Sequence, residues 1–251
     1  GRESELEELL AADNVPPKVN LVLLPGAGID AETAAVLGSD PERDHELTAS
    51  GISPIGLELD GGDPARTIEA IDEPDGFVRV QDQGSQLAAL ALTRARPVQP
   101  GERWLDLCAG PGGKTAVLGA EAVLGGATVR ANEVSEHRTD LVRRSVEAAA
   151  EVVDLVSHDG RDSGAYGGEQ FDRILVDAPC SGLGALRRRP EARWRKQPTD
   201  LPDLTGLQGE LLDAAAEHLA PGGLLAYVTC SPHRAETRVV LDGLLKRHPE
   251  L

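Results

Sequence analysis

The stretch Trp104 to Thr115, W-L-D-L-C-A-G-P-G-G-K-T, limits what this chain can fold into more than any other. An apolar run ends in an acid and breaks into glycines before a helix-forming segment. This is the pattern of a strand-turn-helix whose turn meets a ligand with backbone N–H groups and a helix N-terminus. A phosphate-cradling loop requires a glycine six residues before its lysine, and Cys108 stands six before Lys114. The dinucleotide pattern G-x-G-x-x-G fails as well, because Gly110, Gly112 and Gly113 are followed by Lys114, Thr115 and Ala116. What remains suits a cofactor that carries an amino acid and a nucleoside but no phosphates, a description S-adenosylmethionine fits. The plain alternative is an ordinary strand-to-helix turn.

Around this turn, strands and helices alternate. Strands are expected at Arg103–Leu107, Thr128–Glu133, Val152–Ser157, Phe171–Asp177 and Leu224–Thr229, and helices at Thr115–Val123, Glu136–Ala149, Leu204–Leu219 and Ala235–Arg247. Such alternation predicts an α/β fold, a Rossmann-like doubly wound sheet. Right-handed crossovers then bring the strand ends to one edge, so Asp106, Glu133, Asp159, Asp177 and Cys230 are expected to line one cleft. Residues 1–80 read as a small α+β domain with a helix over 3–12, an extended Val19–Leu24 and a second helix at Ala31–Leu37; residues 81–251 read as the catalytic domain.

The formal net charge of −17 argues at first against a nucleic-acid partner. It is concentrated at the front: residues 1–80 carry 18 acids and 5 bases, the rest 24 acids and 20 bases. A dense basic run, Arg187, Arg188, Arg189, Arg193, Arg195 and Lys196 around Trp194, offers phosphate contacts and a stacking face for an RNA strand whose target base is splayed out. Its alternative is a solvated basic loop. Three cysteines, no secretory signal and no membrane-length apolar run predict a reduced, cytoplasmic protein without membrane contact. The absence of methionine and the start at Gly1 lead to the expectation of an excised fragment.

Two thiols stand just past apolar strands, Cys180 in D-A-P-C-S-G and Cys230 in Y-V-T-C-S-P. Convergent thiols can form a disulfide, half a metal site, or a nucleophile with its partner. A structural zinc would need two more close ligands, which neither segment supplies, so no metal is expected. Methylation at carbon 5 of a pyrimidine explains such a pair. A thiolate adding to carbon 6 makes carbon 5 nucleophilic, and the carbon 5 proton must leave before the thiolate is expelled. Asp177 is placed to hydrogen-bond ring N3. Glu133, about 20 residues past the turn, can accept from ribose hydroxyls, and Asp159 from an adenine amino group. Their alternatives are a helix-start acid and a turn aspartate.

The motifs D-L-C-A-G-P-G-G-K-T (106–115), N-E-V-S-x-x-R (132–138), H-D-G-R (158–161), D-A-P-C-S-G-L-G (177–184) and T-C-S-P (229–232) together resemble the RNA 5-methylcytosine methyltransferases of the RsmB/Nol1/Nop2/Sun group, over roughly residues 78–248. The resemblance implies that Cys230 attacks carbon 6 and Cys180 assists release of the methylated RNA. It places Cys108, Ala109, Gly110, Pro111, Gly112, Gly113, Lys114, Glu133, Arg138, Asp159 and Asp177 at S-adenosylmethionine, with Cys108 a small loop residue and no third catalyst. The L-G-A-L-R-R-R-P-E-A-R-W-R segment (183–195) is most similar to the bacterial RsmB (Fmu/Sun) branch, which implies 16S rRNA as partner. That branch ordinarily carries a NusB-type helical domain ahead of this portion and closing strands after it. A tRNA substrate, a DNA-type cytosine-5 enzyme with the proline-linked thiol as nucleophile, a non-catalytic rRNA-binding scaffold and a dehydrogenase are the competing readings.

Overall fold

The computed structural model describes residues 3–39, 46–71 and 76–251. The chain forms two compact units, a larger one of Lys18–Asp177 with Ala214–Ala226, and a smaller one of Gly1–Pro17, Ala178–Asp213 and Tyr227–Leu251. Helix α1 (Leu6–Asp13) belongs to the smaller unit and buries no residue.

The larger unit opens with β1 (Val19–Leu23), α2 (Ala31–Gly38), β2 (Glu46–Ala49), β3 (Gly56–Asp60), α3 (Pro64–Ile71) and β4 (Val78–Val80). The four strands pair antiparallel in the order β2-β3-β1-β4. Alternation decides what is buried: Leu21 and Leu23 of β1 and Leu57 and Leu59 of β3 meet Leu47, Val78 and Ala34 of α2 in one core. Helix α2 starts at Asp30, whose carboxylate accepts from the Thr33 N–H at 2.8 Å, a conventional N-cap.

Helix α4 (Gln83–Thr93) follows and is tied to the first sheet by Gln86, whose buried amide donates to the Leu21 carbonyl at 3.1 Å. Then come β5 (Arg103–Asp106), α5 (Gly113–Gly125), β6 (Thr128–Asn132), α6 (Glu136–Ser145), β7 (Val153–Val156) and β8 (Phe171–Asp177). After α7 (Ala192–Arg195), α8 (Leu201–Glu217) leads into β9 (Leu219–Val228), and α9 (Val240–Arg247) is last. The second sheet runs β7-β6-β5-β8-β9, with β5 parallel to β6 and β8, and β6 parallel to β7. From β5 the chain steps outward to β7 and returns to β8 on the other flank of β5. That reversal is the topological switch point of a doubly wound sheet, where ligands bind beyond the strand carboxyl ends. Among the described residues no helix is long and apolar enough to cross a membrane.

Several boundaries shift from those expected, and three of the shifts have a clear physical basis. Helix α6 stops at Ser145, not Ala149, where the Val146 N–H divides between the Val142 and Arg143 carbonyls and the last turn tightens to 3₁₀. Strand β9 starts five residues early and contains Pro221, which is tolerated because β9 is the edge strand. Residues Ala235–Val239 form a π turn ahead of α9, with the Val239 N–H reaching the Arg234 carbonyl at 3.0 Å.

One side chain in β8 is unusual for a sheet centre. Arg173 is 0% exposed. Its Nε donates to Glu102 Oε2 at 2.7 Å and its Nη1 to the Leu92 and Thr93 carbonyls at 2.9 and 2.6 Å. Its Nη2 reaches the Arg96 and Pro97 carbonyls at 3.1 and 3.2 Å, and the guanidinium lies 5.1 Å above the Trp104 ring. The Trp104 indole N–H donates to the same Glu102 carboxylate at 2.8 Å. Burial pushes the Glu102 pKa up, and the Arg173 and Trp104 bonds more than reverse this, holding it below its ordinary value.

Candidate functional site

The glycine turn joins β5 to α5, and two of its glycines are sterically required. Gly112 has φ +107°, and a Cβ there would sit 2.5 Å from the Ser145 Cβ. A Cβ on Gly110 would strike the Glu133 carboxylate and the Arg138 guanidinium. The loop is closed by partners on β6 and α6. The Ala109 N–H donates to the Asn132 carbonyl at 2.8 Å, the Gly110 N–H to Glu133 Oε2 at 3.1 Å, and Ser145 Oγ to the Pro111 carbonyl at 3.0 Å. Arg138 completes the closure, donating to the Gly110 carbonyl at 2.5 Å and pairing with Glu133 at 3.4 Å. Its role, open from sequence alone, is to hold the turn against Glu133. The other oxygen of Glu133 accepts from the Ser135 N–H at 3.0 Å, so this acid also serves as the helix-start acceptor considered above.

Asp106 departs from expectation. It does not line a cleft: it is buried beneath the turn at 1% exposure, with Oδ2 accepting from the Thr115 hydroxyl at 2.8 Å. Burial, reinforced by the Asp177 charge, outweighs Thr115 and Lys114 and pushes its pKa up to about 7. β5 is the central strand and is buried on both faces from Trp104 to Asp106, which the acid's polarity concealed. Partly buried above it, Lys114 Nζ lies 2.7 Å from Asp177 Oδ2. Asp159 is gripped by its neighbour Arg161, whose hydrogen bonds lower its pKa to about 2. Burial and the surrounding carboxylates push the Cys108 thiol far up, so it stays protonated and inert, as a loop residue should.

In the smaller unit, Cys180 and Cys230 meet. Their sulfurs are 3.3 Å apart, a thiol hydrogen bond rather than a disulfide, whose sulfurs sit at about 2.0 Å. The approach depends on Gly184, whose N–H donates to the Cys230 carbonyl at 2.8 Å and whose missing Cβ leaves room for that oxygen. The bond from Cys230 stabilises a thiolate at Cys180 and outweighs burial, bringing its pKa down to about 6. Cys180 is therefore the thiol of the pair that is biased toward the thiolate, with Cys230 as its hydrogen-bond partner. Alkylation by iodoacetamide should rise through a midpoint near pH 6. In Cys230→Ala the midpoint should move toward the about 8.5 of an ordinary thiol; an unmoved midpoint would assign the shift to something other than the partner sulfur.

The basic segment divides. Arg193 Nη1 bonds Asn14 Oδ1 at 2.9 Å and its Nη2 the Asp13 carbonyl at 3.2 Å, while Arg187 Nε reaches the Val15 carbonyl at 3.1 Å. These cations neutralise the carboxyl end of α1. Arg188, Arg189, Arg195 and Lys196 stay exposed, and Trp194 is 82% exposed. Sequence reasoning missed Glu236, Ser181, Ser231 and Gln208, which meet beside the thiols. The available signal was an acid at the start of the last helix, soon after T-C-S-P.

Residues 94–251 match the family 16S rRNA methyltransferase RsmB/F. The Mycobacterium tuberculosis protein Rv1407 is 48% identical over 246 residues, which is 98% of this chain and 50% of that protein. Ribosomal RNA small subunit methyltransferase B of Pseudomonas putida is 42% identical over 176 residues, 70% of this chain and 39% of that one. The crystal structure of PH0851 has a TM-score of 0.85 at 29% identity, covering 98% of this chain and 54% of that chain. The chain thus spans half or less of the length of these two sequence relatives. With the glycine turn at the switch point of a parallel sheet, and with a match over residues 94–251, the chain belongs to the 16S rRNA methyltransferase RsmB/F family.

Proposed function

We propose that the protein methylates carbon 5 of a cytosine in small-subunit ribosomal RNA, with S-adenosylmethionine as methyl donor and a covalent bond from Cys230 to carbon 6. The observation that carries this reading is the thiol pair, whose sulfurs lie 3.3 Å apart. The name of the Pseudomonas putida relative supports the choice of RNA.

The residues around the glycine turn fit the cofactor. Glu133, Asp159 and Asp177 are each engaged with Arg138, Arg161 and Lys114 respectively, so these cations are already neutralised and the turn is poorly equipped for phosphates. Carboxylates beside a turn too tight for a Cβ suit a ligand with hydroxyls and amino groups. Cys108 to Lys114, Glu133, Arg138, Asp159 and Asp177 would hold it, and when bound it supplies an electrophilic methyl group on a sulfonium.

Cys230 passes its proton to Cys180 and forms the bond to carbon 6, and the carbon 5–carbon 6 electron pair becomes available at carbon 5. Asp177, in its acid form, would donate to ring N3 as negative charge develops on the ring and keep that proton when the charge returns to Cys230. Cys180, partly exposed, returns its proton to water. Once carbon 5 carries the methyl group, its proton goes to the Cys180 thiolate, the double bond re-forms, and the Cys230 thiolate leaves. Arg188, Arg189, Arg195 and Lys196 contact phosphates, with Trp194 as a stacking face.

The test is tritium transfer from methyl-labelled S-adenosylmethionine to protein-free small-subunit rRNA and, in parallel, to tRNA, followed by nucleoside analysis. Label in 5-methylcytidine is the expected result. Label in tRNA alone would reassign the substrate. RNA binding without any transfer would overturn the activity and return the scaffold.

A further inference from the structure

Glu236 is the most buried acid in the smaller unit, at 0% exposure, and no step above uses it. Its carboxylate accepts four hydrogen bonds. Oε1 takes the Ser181 backbone N–H at 2.7 Å and the Gln208 amide at 3.2 Å; Oε2 takes the Ser181 hydroxyl at 2.5 Å and the Ser231 hydroxyl at 2.6 Å. Ser181 directly follows Cys180, and Ser231 directly follows Cys230. The two serine oxygens lie 2.9 Å apart, and Gln208 also donates to the carbonyl of Pro179, the residue before Cys180, at 2.8 Å. One carboxylate therefore grips the chain beside each thiol.

The π turn aims this carboxylate. It places Glu236 within Ala235–Val239, where the hydrogen-bond spacing widens by one residue, and the Tyr227 hydroxyl holds the Glu236 carbonyl at 2.6 Å. The geometry points to Glu236 as a positioning residue that sets the separation of Cys180 and Cys230. This rests on the two-thiol reading above and adds to it the group that brings the thiols into register. Burial pushes the carboxyl pKa up, and the serine bonds more than reverse this, so the group is ionised at neutral pH and accepts at both oxygens.

A positioning role makes a prediction that a charge role does not. Glutamine keeps the shape: its carbonyl accepts from the Ser181 N–H and Gln208, and its amide donates to the two rotatable serine hydroxyls. Alanine leaves the Ser181 N–H without its acceptor and frees both segments. The readout is closure of the Cys180–Cys230 disulfide in the full chain by diamide, which takes up two electrons and two protons, followed by mass spectrometry.

Glu236→Ala should close about tenfold more slowly than wild type and lose about a hundredfold in kcat with KM nearly unchanged, because a displacement of about 1 Å is costly for paired reacting groups. Glu236→Gln should close at nearly the wild-type rate. Should Glu236→Ala fail to fold, Ser231→Ala removes a single arm and is expected to slow closure a few-fold. Closure as fast as wild type in both Glu236→Ala and Ser231→Ala overturns the proposal, as does Glu236→Gln behaving like Glu236→Ala. Since closure needs no RNA, the clamp stands on this pattern even if wild type methylates nothing, an outcome that would sink the methyl-transfer reading alone.

Discussion

Cys230→Ala is expected to lose methyl transfer to RNA by at least about 10⁴-fold, while Cys180→Ala accumulates protein bonded to RNA. The two sulfurs are 3.3 Å apart, yet in the proposed reaction their tasks differ. Without Cys230 there is no bond to carbon 6, and carbon 5 stays too poor a nucleophile. Without Cys180 the bond still forms, but the carbon 5 proton has no acceptor and the adduct cannot collapse. Cys180→Ala also removes the sulfur that takes up the Cys230 proton. Adduct formation should then be slow at pH 7 and accelerate toward about pH 8.5, the range of an isolated thiol. The measurement is a denaturing gel of labelled RNA, with nuclease digestion releasing the protein. An adduct in Cys230→Ala, with none in Cys180→Ala, would exchange the two roles and restore the DNA-type scheme.

Arg173→Met should cost about 3–5 kcal/mol, the usual penalty for removing one partner of a buried ion pair. At about 2–4 °C per kcal/mol for a chain of this size, the melting temperature should fall by roughly 6–20 °C. The methionine fills much of the space but leaves Glu102 buried with only the Trp104 N–H and more distant groups, and strips the Leu92, Thr93, Arg96 and Pro97 carbonyls of a donor. The pH dependence has a definite sign. In wild type the Glu102 pKa is depressed, so its stabilisation is present above the unfolded value of about 4.3 and is lost as pH falls through the folded value. In the variant burial dominates, the folded pKa rises, and stability falls as pH increases from about 4.3. The deficit against wild type should therefore be larger at pH 7 than near pH 4.5. Adding Glu102→Gln to Arg173→Met should recover part of the loss. Equal melting temperatures for wild type and Arg173→Met would mean that the network is dispensable.

The parts of this protein that rest on local patterns were legible in its residues. Apolar strand runs alternating with helix periodicity specified the parallel sheet, and Gly110 and Gly112 marked a turn where a side chain cannot fit. The two thiols announced themselves by standing just past apolar strands. Tertiary structure decided which distant groups satisfy the polar atoms these segments bury. Glu236 accepts from Ser181 across 55 residues, Arg173 reaches Glu102 across 71, and Arg138 holds Gly110 across 28. Arg193, which belongs by sequence to the basic run around Trp194, bonds instead to the end of α1, 179 residues away. Periodicity encodes which face of an element turns inward, whereas the partner of a buried charge depends on which elements pack together. Asp106 shows the boundary between the two: its position at the end of β5 was evident from sequence, but only the packed sheet put it in the core, where the loss of water raises its pKa.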